Sequence, residues 1–317
     1  MISIIICSRT HSIPQVLHDN IKSTVGSDYE LVVIDNSDSN YDIFQAYNEG
    51  VRRAKGDILC FAHDDILFQS DLWGITLQQH FADNTDIGII GVGGSHFLSS
   101  YPFYWSSNSF ISEHCLHNDH GETITCFHED YFPEGSPLSE VVVVDGLCMF
   151  MRASLFPSIS FDTKSYRGFH AYDMDICMQV IAQNMKVAVC RDITVEHAWS
   201  EKTAFKKKSY QMLNENLLLF AQKWTDWLPI TRGVNLPSHT TYKLNQIYSH
   251  AYDSFLVRHS HAYQIGHIIL QPFHNLKDIF NKMKDVIIQI FRKIEDIGGG
   301  QFADFQFHAL HALQLKS

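Results

Sequence analysis

The chain has 317 residues, 45% of them hydrophobic and 19% charged, with a formal net charge of −11 when the histidines are neutral. That length can hold one large domain plus an appendage, and the composition is too apolar for disorder. The acidic balance argues against nucleic acid as a partner, because phosphate backbones require clustered Lys and Arg.

The seven cysteines are scattered, form no C-x-x-C and often sit in apolar runs. This usage suits a reducing, cytoplasmic setting. The start MISIIICSRT lacks the basic residues and long apolar stretch of a signal peptide, and is expected to be a strand. With no run of about 18 apolar residues, no membrane span is expected.

In chain order, the patterning predicts a strand over Ile2–Cys7, a helix over Pro14–Thr24 and a strand over Glu30–Ile34. A helix over Tyr41–Ala54, a strand over Asp57–Ala62, a helix over Asp71–Phe81 and a strand over Ile87–Val92 follow. Such alternation predicts a doubly wound α/β sheet. Ligands of these sheets bind beyond the carboxyl ends of the strands. Here those ends carry Ser8 and Arg9, Asp35 and Asn36, and His63 to Asp65. The first turn, SRTHSIP, has no glycine, which disfavours a dinucleotide cradle.

From Gly94 to Glu140 the pattern dissolves into an aromatic- and histidine-rich stretch, expected as loop. Strands are predicted at Val141–Val144 and Cys148–Met151, a loop at Phe161–Phe169 and a helix at Tyr172–Asn184. Lys186–Cys190 and the DITVEHAW segment read as strands, and Ser209–Gln222 as a helix. Composition shifts around Trp224–Pro237, which places a domain over 1–228 and a mainly helical appendage over 229–317.

The segment Ile58–Phe68, ILCFAHDDILF, sets His63, Asp64 and Asp65 directly at the exit of a core strand. Two neighbouring carboxylates repel each other and are costly to bury unpaired, so a positive partner is expected. A lone Asp there would be read as a turn or helix cap.

Taken together, VVIDNSDS at 32–39, NEGVRRAKGDILCFAHDD at 48–65, VDGLCMFMR at 144–152, FHAYDMDICMQ at 169–179 and VEHAW at 195–199 make the chain resemble a family 2 glycosyltransferase of GT-A fold. The resemblance spans roughly residues 1–225. It implies a nucleotide-diphosphate sugar, expected to be a UDP-sugar, a divalent metal (Mn²⁺ or Mg²⁺) on the diphosphate, and inversion at the anomeric carbon. A hard cation neutralising a diphosphate takes carboxylate oxygen. The metal role falls to Asp65, with His197 as a second ligand and His63, standing where the family carries the first Asp of D-x-D, as a third candidate. Asp64 is expected to face the donor ribose or sugar. Ser8, Arg9, Asp35, Asn36, Asn48 and Lys55 correspond to donor or nucleotide positions, Asp35 to recognition of the base. Gly146 would let backbone approach the sugar.

Inversion also needs a carboxylate to take the acceptor proton. The family's Glu-Asp-x-Asp stands here as Tyr172-Asp173-Met174-Asp175, so Asp173 aligns with the base and Tyr172 replaces the Glu. Two acids at the positive end of a helix are the plainer reading. Asp145 and Asp175 are acceptor candidates. Trp105, with Tyr101, Phe103 and Tyr104, would suit stacking on a sugar in the glycan acceptor.

His114, His117 and His120 recur every three residues, with Cys115, Cys126 and His128 nearby. The spacing fits no common Cys/His zinc module. The resemblance reads this insertion as an acceptor-binding loop instead.

Near the C-terminus, Ile279, Phe280, Met283, Val286, Ile287, Ile290, Phe291 and Ile294 form an apolar stripe at helical spacing flanked by lysines. Packing against its own domain or a second subunit is one reading, and peripheral contact with the inner face of a membrane the other. The function expected is extension of a glycan, such as a bacterial surface polysaccharide. A nucleotidyltransferase and a non-catalytic nucleotide-sugar or glycan binder are the alternatives.

Overall fold

A computed structural model describes residues 1–119, 122–199 and 207–259. The first half alternates β1 (Ile2–Ser8), α1 (Gln15–Thr24), β2 (Tyr29–Asp35), α2 (Ile43–Arg53), β3 (Ile58–Ala62), β4 (Ile66–Phe68), α3 (Trp73–Asp83) and β5 (Ile87–Gly91). Short strands β6 (Gly93–Ser95) and β7 (Phe97–Leu98) lead to a hairpin of β8 (Ile111–Asp119) and β9 (Glu122–His128). Then come β10 (Leu138–Val141), β11 (Val143–Val144), β12 (Cys148–Arg152), α4 (Tyr172–Ala182), β13 (Lys186–Cys190) and β14 (Val195–Trp199). Helix α5 (Lys207–Lys223), β15 (Ile230–Thr231) and α6 (Ser238–His259) follow.

The main sheet has seven strands in the order β10-β13-β5-β12-β3-β1-β2. Strands β1, β2, β3, β5 and β13 run parallel, whereas β12 lies antiparallel between β3 and β5, and β10 antiparallel at the edge. The expected α/β sheet is therefore present, and it is mixed. β3 is wholly buried, as its uninterrupted ILCFA run requires. One core layer gathers Phe44, Tyr47 and Phe61 with α4, and the other gathers Leu17, Ile21, Trp73 and Leu77. Helix α2 is started by a capping box, in which Asp42 and Gln45 satisfy each other's backbone N–H groups.

The stretch from Gly94 to Glu140, expected as loop, is about half strand. A second, six-stranded sheet runs β11-β6-β8-β14-β4, with β9 paired to the far part of β8. β8 alternates Ser, Glu and His rather than β-branched residues, so local propensity is silent there. Its order comes from partners remote in sequence, β6 and β14.

Residues just after 229 pack on the preceding fold. β15 pairs antiparallel with β7, Tyr248 lies against Phe97 and Phe103, and Asn245 Oδ1 accepts from the Ser100 N–H at 2.8 Å. Among the described residues no helix is long and apolar enough to cross a membrane. The Ile279–Ile294 stripe and His120 lie outside the described residues.

Candidate active site

The two sheets meet at the turn between β3 and β4, which carries His63, Asp64 and Asp65. That turn is pinned from both sides: the His63 N–H donates to the Leu147 carbonyl at 3.0 Å, and the Ala198 N–H to the Asp65 carbonyl at 2.9 Å. β14 pairs with β4 so that His197 stands opposite Ile66, beside the turn. As a result His63, Asp65 and His197 converge, with one ligand-capable atom from each within 4.8 Å of the others. His197 Nε2 is 3.4 Å and His63 Nδ1 4.0 Å from Asp65 Oδ1.

This group fits a divalent cation. Asp65 Oδ1 is buried and makes no hydrogen bond among the described residues, an orphaned acceptor of the kind a cation satisfies. Burial alone would raise the Asp65 carboxyl, but His197, His63 and Arg9 outweigh it and hold it at about 2. Burial, helped by His197, depresses the His63 imidazole to about 4, so its ring is neutral and keeps a free lone pair. Two imidazoles and one carboxylate suit Mn²⁺ better than Mg²⁺, which prefers oxygen.

The adjacent carboxylates also have a partner from the protein itself. Arg9, at the end of β1, wraps Asp64 with its backbone N–H (2.9 Å), Nε (3.2 Å) and Nη2 (2.5 Å), and Nη2 reaches Asp65 at 2.9 Å. Asp64 is thus engaged by Arg9 in this state rather than facing outward.

At the end of β2, Asp35 is exposed and holds His11 at 2.8 Å, the main reason its carboxyl lies at about 2. Asn36 closes the turn, bonding both the Tyr41 N–H and carbonyl, while its own N–H donates to the Ser8 carbonyl. The Ser8 hydroxyl is buried and donates to the Ser12 carbonyl. These residues share one edge, as the strand order requires.

Asn48 and Lys55 do not join them. Asn48 bonds the backbone of Phe161 in both directions and so ties α2 to the following loop. Lys55 precedes β3 and therefore lies at the amino edge of the parallel strands, where its N–H meets Ser3 and Glu30.

Helix α4 brings the remaining acids. Ala171 takes a left-handed conformation (φ 68°) that turns the chain into the helix. Asp173 is buried; its carboxylate accepts from Tyr104 Oη at 2.9 Å and from the Met174 N–H at 2.9 Å. Burial and the nearby Asp145 push its carboxyl up to about 7. A carboxylate poised there can accept a proton near neutral pH. Tyr172, its neighbour, shares a 2.9 Å hydrogen bond with His63 Nε2. A side chain at Gly146 would overlap the Tyr172 phenol, so the glycine makes room for that ring. Burial raises the Asp145 carboxyl, which bonds the Leu147 N–H and feels His197, Glu113 and His117.

Asp175 faces elsewhere, as its rotation around the helix predicts. Its carboxylate accepts from Tyr166 Oη, Gln179 Nε2, Lys223 Nζ and Trp224 Nε1, locking α5 to α4, so a direct acceptor contact is not its place. Trp105 is buried beside Tyr104, and Tyr101 and Phe103 pack on Tyr252 and Tyr248, so these rings build the fold rather than an open stacking face.

Sequence reading missed the Tyr104–Asp173 bond, His11 and the Arg9 clamp, whose partners lie 69, 24 and 55 residues away. It also missed that Glu113, His117 and Cys126 converge on the β8–β9 hairpin. There Cys126 and Glu113 push the His117 imidazole up to about 10.

The metal-competent turn and the buried Asp173 carboxylate lie beyond the carboxyl ends of the parallel strands, where open α/β sheets bind their ligands. The chain belongs to the glycosyltransferase-like family, whose profile matches residues 3–224, and its fold is of the GT-A class. No curated protein matches it. Among solved structures, TarS (residues 1–349) of S. aureus is similar at 10% identity and a TM-score of 0.46, over 81% of this chain and 73% of that one. GalNAc-T7, solved with UDP, GalNAc and Mn²⁺, is similar at 9% identity and a TM-score of 0.45, covering 84% of this chain and 57% of that one. A197 of STIV gives 11% identity and a TM-score of 0.38, over 63% of this chain and 86% of that one.

Proposed function

We propose that the protein is a metal-dependent, inverting glycosyltransferase that moves a sugar from a UDP-sugar to a hydroxyl of a glycan acceptor. The observation that carries this reading is the convergence of His63, Asp65 and His197 next to a buried Asp173 with a carboxyl near 7. His63, Asp65 and His197 would hold the cation, which when bound supplies charge neutralisation for the diphosphate. Asp173 takes the proton from the acceptor hydroxyl, and Tyr104 steadies the carboxylate that does so. Arg9 and Ser8 border the diphosphate, and Asp35 with Asn36 border the nucleoside. Asp145, close to both His197 and Asp173, orients sugar or acceptor hydroxyls. We assign this chemistry to residues 1–228 and treat 229–317 as a helical region.

Calorimetry with UDP tests the reading. With Mn²⁺ the intact chain binds UDP more tightly than with a chelator, and Asp65→Ala loses that difference while keeping its melting temperature. Equal UDP affinity with Mn²⁺ and with chelator would overturn it.

A further inference from the structure

We propose that Glu113, His117, Cys126 and His128 form a zinc-class metal site on the β8–β9 hairpin, separate from the His63–Asp65–His197 group. The register of the hairpin sets Glu113 opposite His128 and Cys115 opposite Cys126, with His117 two residues further along β8. Residues two apart on a strand, and those directly opposite, share a face. All four donors therefore project from one side. One ligand atom each from Glu113, His117 and Cys126 lies within 4.8 Å of the others. His117 Nε2 is 3.4 Å from Glu113 Oε1, and His128 Nε2 is 3.9 Å from Glu113 Oε2. Bonds of about 2.0–2.3 Å in a tetrahedron separate ligand atoms by about 3.3–3.8 Å, so small side-chain movements complete the shell.

The donor chemistry selects the ion. A thiolate, two imidazoles and a carboxylate suit zinc and other borderline-soft divalent ions, whereas Mg²⁺ and Ca²⁺ demand oxygen. The burial pattern points the same way. On β9, Cys126 and His128 are the half-buried residues, while Ile124 and Phe127 are exposed. With Ile124 and Phe127 exposed, hydrophobic burial does little to fix this edge strand, and ligation through Cys126 and His128 would tie it to β8. The spacing also explains why no zinc module is visible in the sequence. Ligands at 113 and 117, then 126 and 128, follow the two-residue period of strands rather than the C-x₂₋₄-C of knuckles. His117 stands in register with His197 on β14, with ring centroids 5.9 Å apart. A filled site would hold the hairpin rigidly against the wall of the candidate active site.

Cobalt titration of the full-length protein tests this, because a cysteine thiolate on Co²⁺ gives a sulfur-to-metal charge-transfer band that His and Asp ligands do not. The intact chain and Asp65→Asn should both develop the band at one equivalent and lose it to excess Zn²⁺. Cys126→Ser should lack the band, and Glu113→Gln should need at least tenfold more cobalt to reach it. Circular dichroism confirms that each variant is folded. Absence of the band in the folded intact chain, or its persistence in Cys126→Ser, would overturn the site.

Discussion

Tyr172 Oη lies 2.9 Å from His63 Nε2, so the two positions that depart from the family's acidic pattern are partners in one hydrogen bond. His63 stands where the family carries an Asp, and Tyr172 where it carries a Glu. Two carboxylates this close would share a proton or repel. The imidazole–phenol pair is neutral, and burial pushes the Tyr172 hydroxyl well above its ordinary pKa, so it stays protonated. Gly146 completes the unit by leaving space for the phenol. At both positions the chain thus carries a neutral group, and each satisfies the other.

That bond has a consequence for metal affinity. His63 Nδ1 is the nitrogen that faces Asp65, so ligation through it requires the proton to sit on Nε2, where Tyr172 Oη can accept it. Removing such an orienting partner typically costs about 10–100-fold in metal affinity. Tyr172→Phe should therefore weaken Mn²⁺-dependent UDP binding by about that factor, with the fold intact by circular dichroism. Unchanged affinity in calorimetry would show that His63 is not held for ligation.

Arg9 offers a separate test at the same turn. Its guanidinium is 60% exposed, while Asp64 beneath it is only 9% exposed. Among the described residues, Arg9→Ala leaves the Asp64 carboxylate with the backbone N–H alone. A lost hydrogen bond to a charged group costs about 1.5–3 kcal/mol, and solvent at the exposed arginine reduces this toward about 1 kcal/mol. Arg9→Lys should recover part of the loss, since it restores charge without the fork. A urea midpoint identical for Arg9→Ala and the intact chain would remove Arg9 as the partner of Asp64.

The acids of α4 divide into different jobs. Asp175 is saturated by donors from α4, α5 and Tyr166, so its role is to hold α5. Asp175→Ala should destabilise the protein by about 3–5 kcal/mol, toward the lower end because Asp162 still holds Lys223 at 2.8 Å. Turnover per folded molecule should change little. A variant that melts normally yet fails to transfer sugar would return Asp175 to the chemistry.

What the sequence disclosed follows from which signals are local. The β1-to-β5 alternation was legible because each strand is a short apolar run bounded by polar turns, and the strand exits carried Ser8, Asp35 and His63 to Asp65. Asp173 was singled out by its motif, and the structure buries it in the first turn of α4. The second sheet was not legible, because β8 gains order from β6 and β14, 16 to 80 residues away, and its His and Glu residues carry no strand signal. The same holds for Tyr104, which reads as one aromatic among several until the fold sets it on Asp173. Lys55 sits at the amino edge of the parallel strands, and position along a motif does not reveal which edge of a sheet a residue occupies; Asn48, midway along α2, is engaged by the backbone of Phe161.

Asp173 makes the sharpest prediction, because on the proposed function one group would govern both stability and rate. Its folded carboxyl lies at about 7, against about 3.9 for an unperturbed Asp. The folded state thus binds the proton more tightly than the unfolded chain. Stability should fall as pH rises from about 4 to about 7 and then level off. Asp173→Asn removes that fall, so its melting temperature relative to the intact chain should be higher at pH 8 than at pH 4. Rate runs the other way, since a base must be ionised: kcat/KM should climb with pH and flatten above about 7. Asp173→Asn should retain donor binding while transfer falls by about 10²–10⁴-fold. Tyr104 donates to the ionised carboxylate and holds its pKa down, so Tyr104→Phe should move the inflection to higher pH. An inflection that stays put in Tyr104→Phe, or survives in Asp173→Asn, would assign the base to another residue.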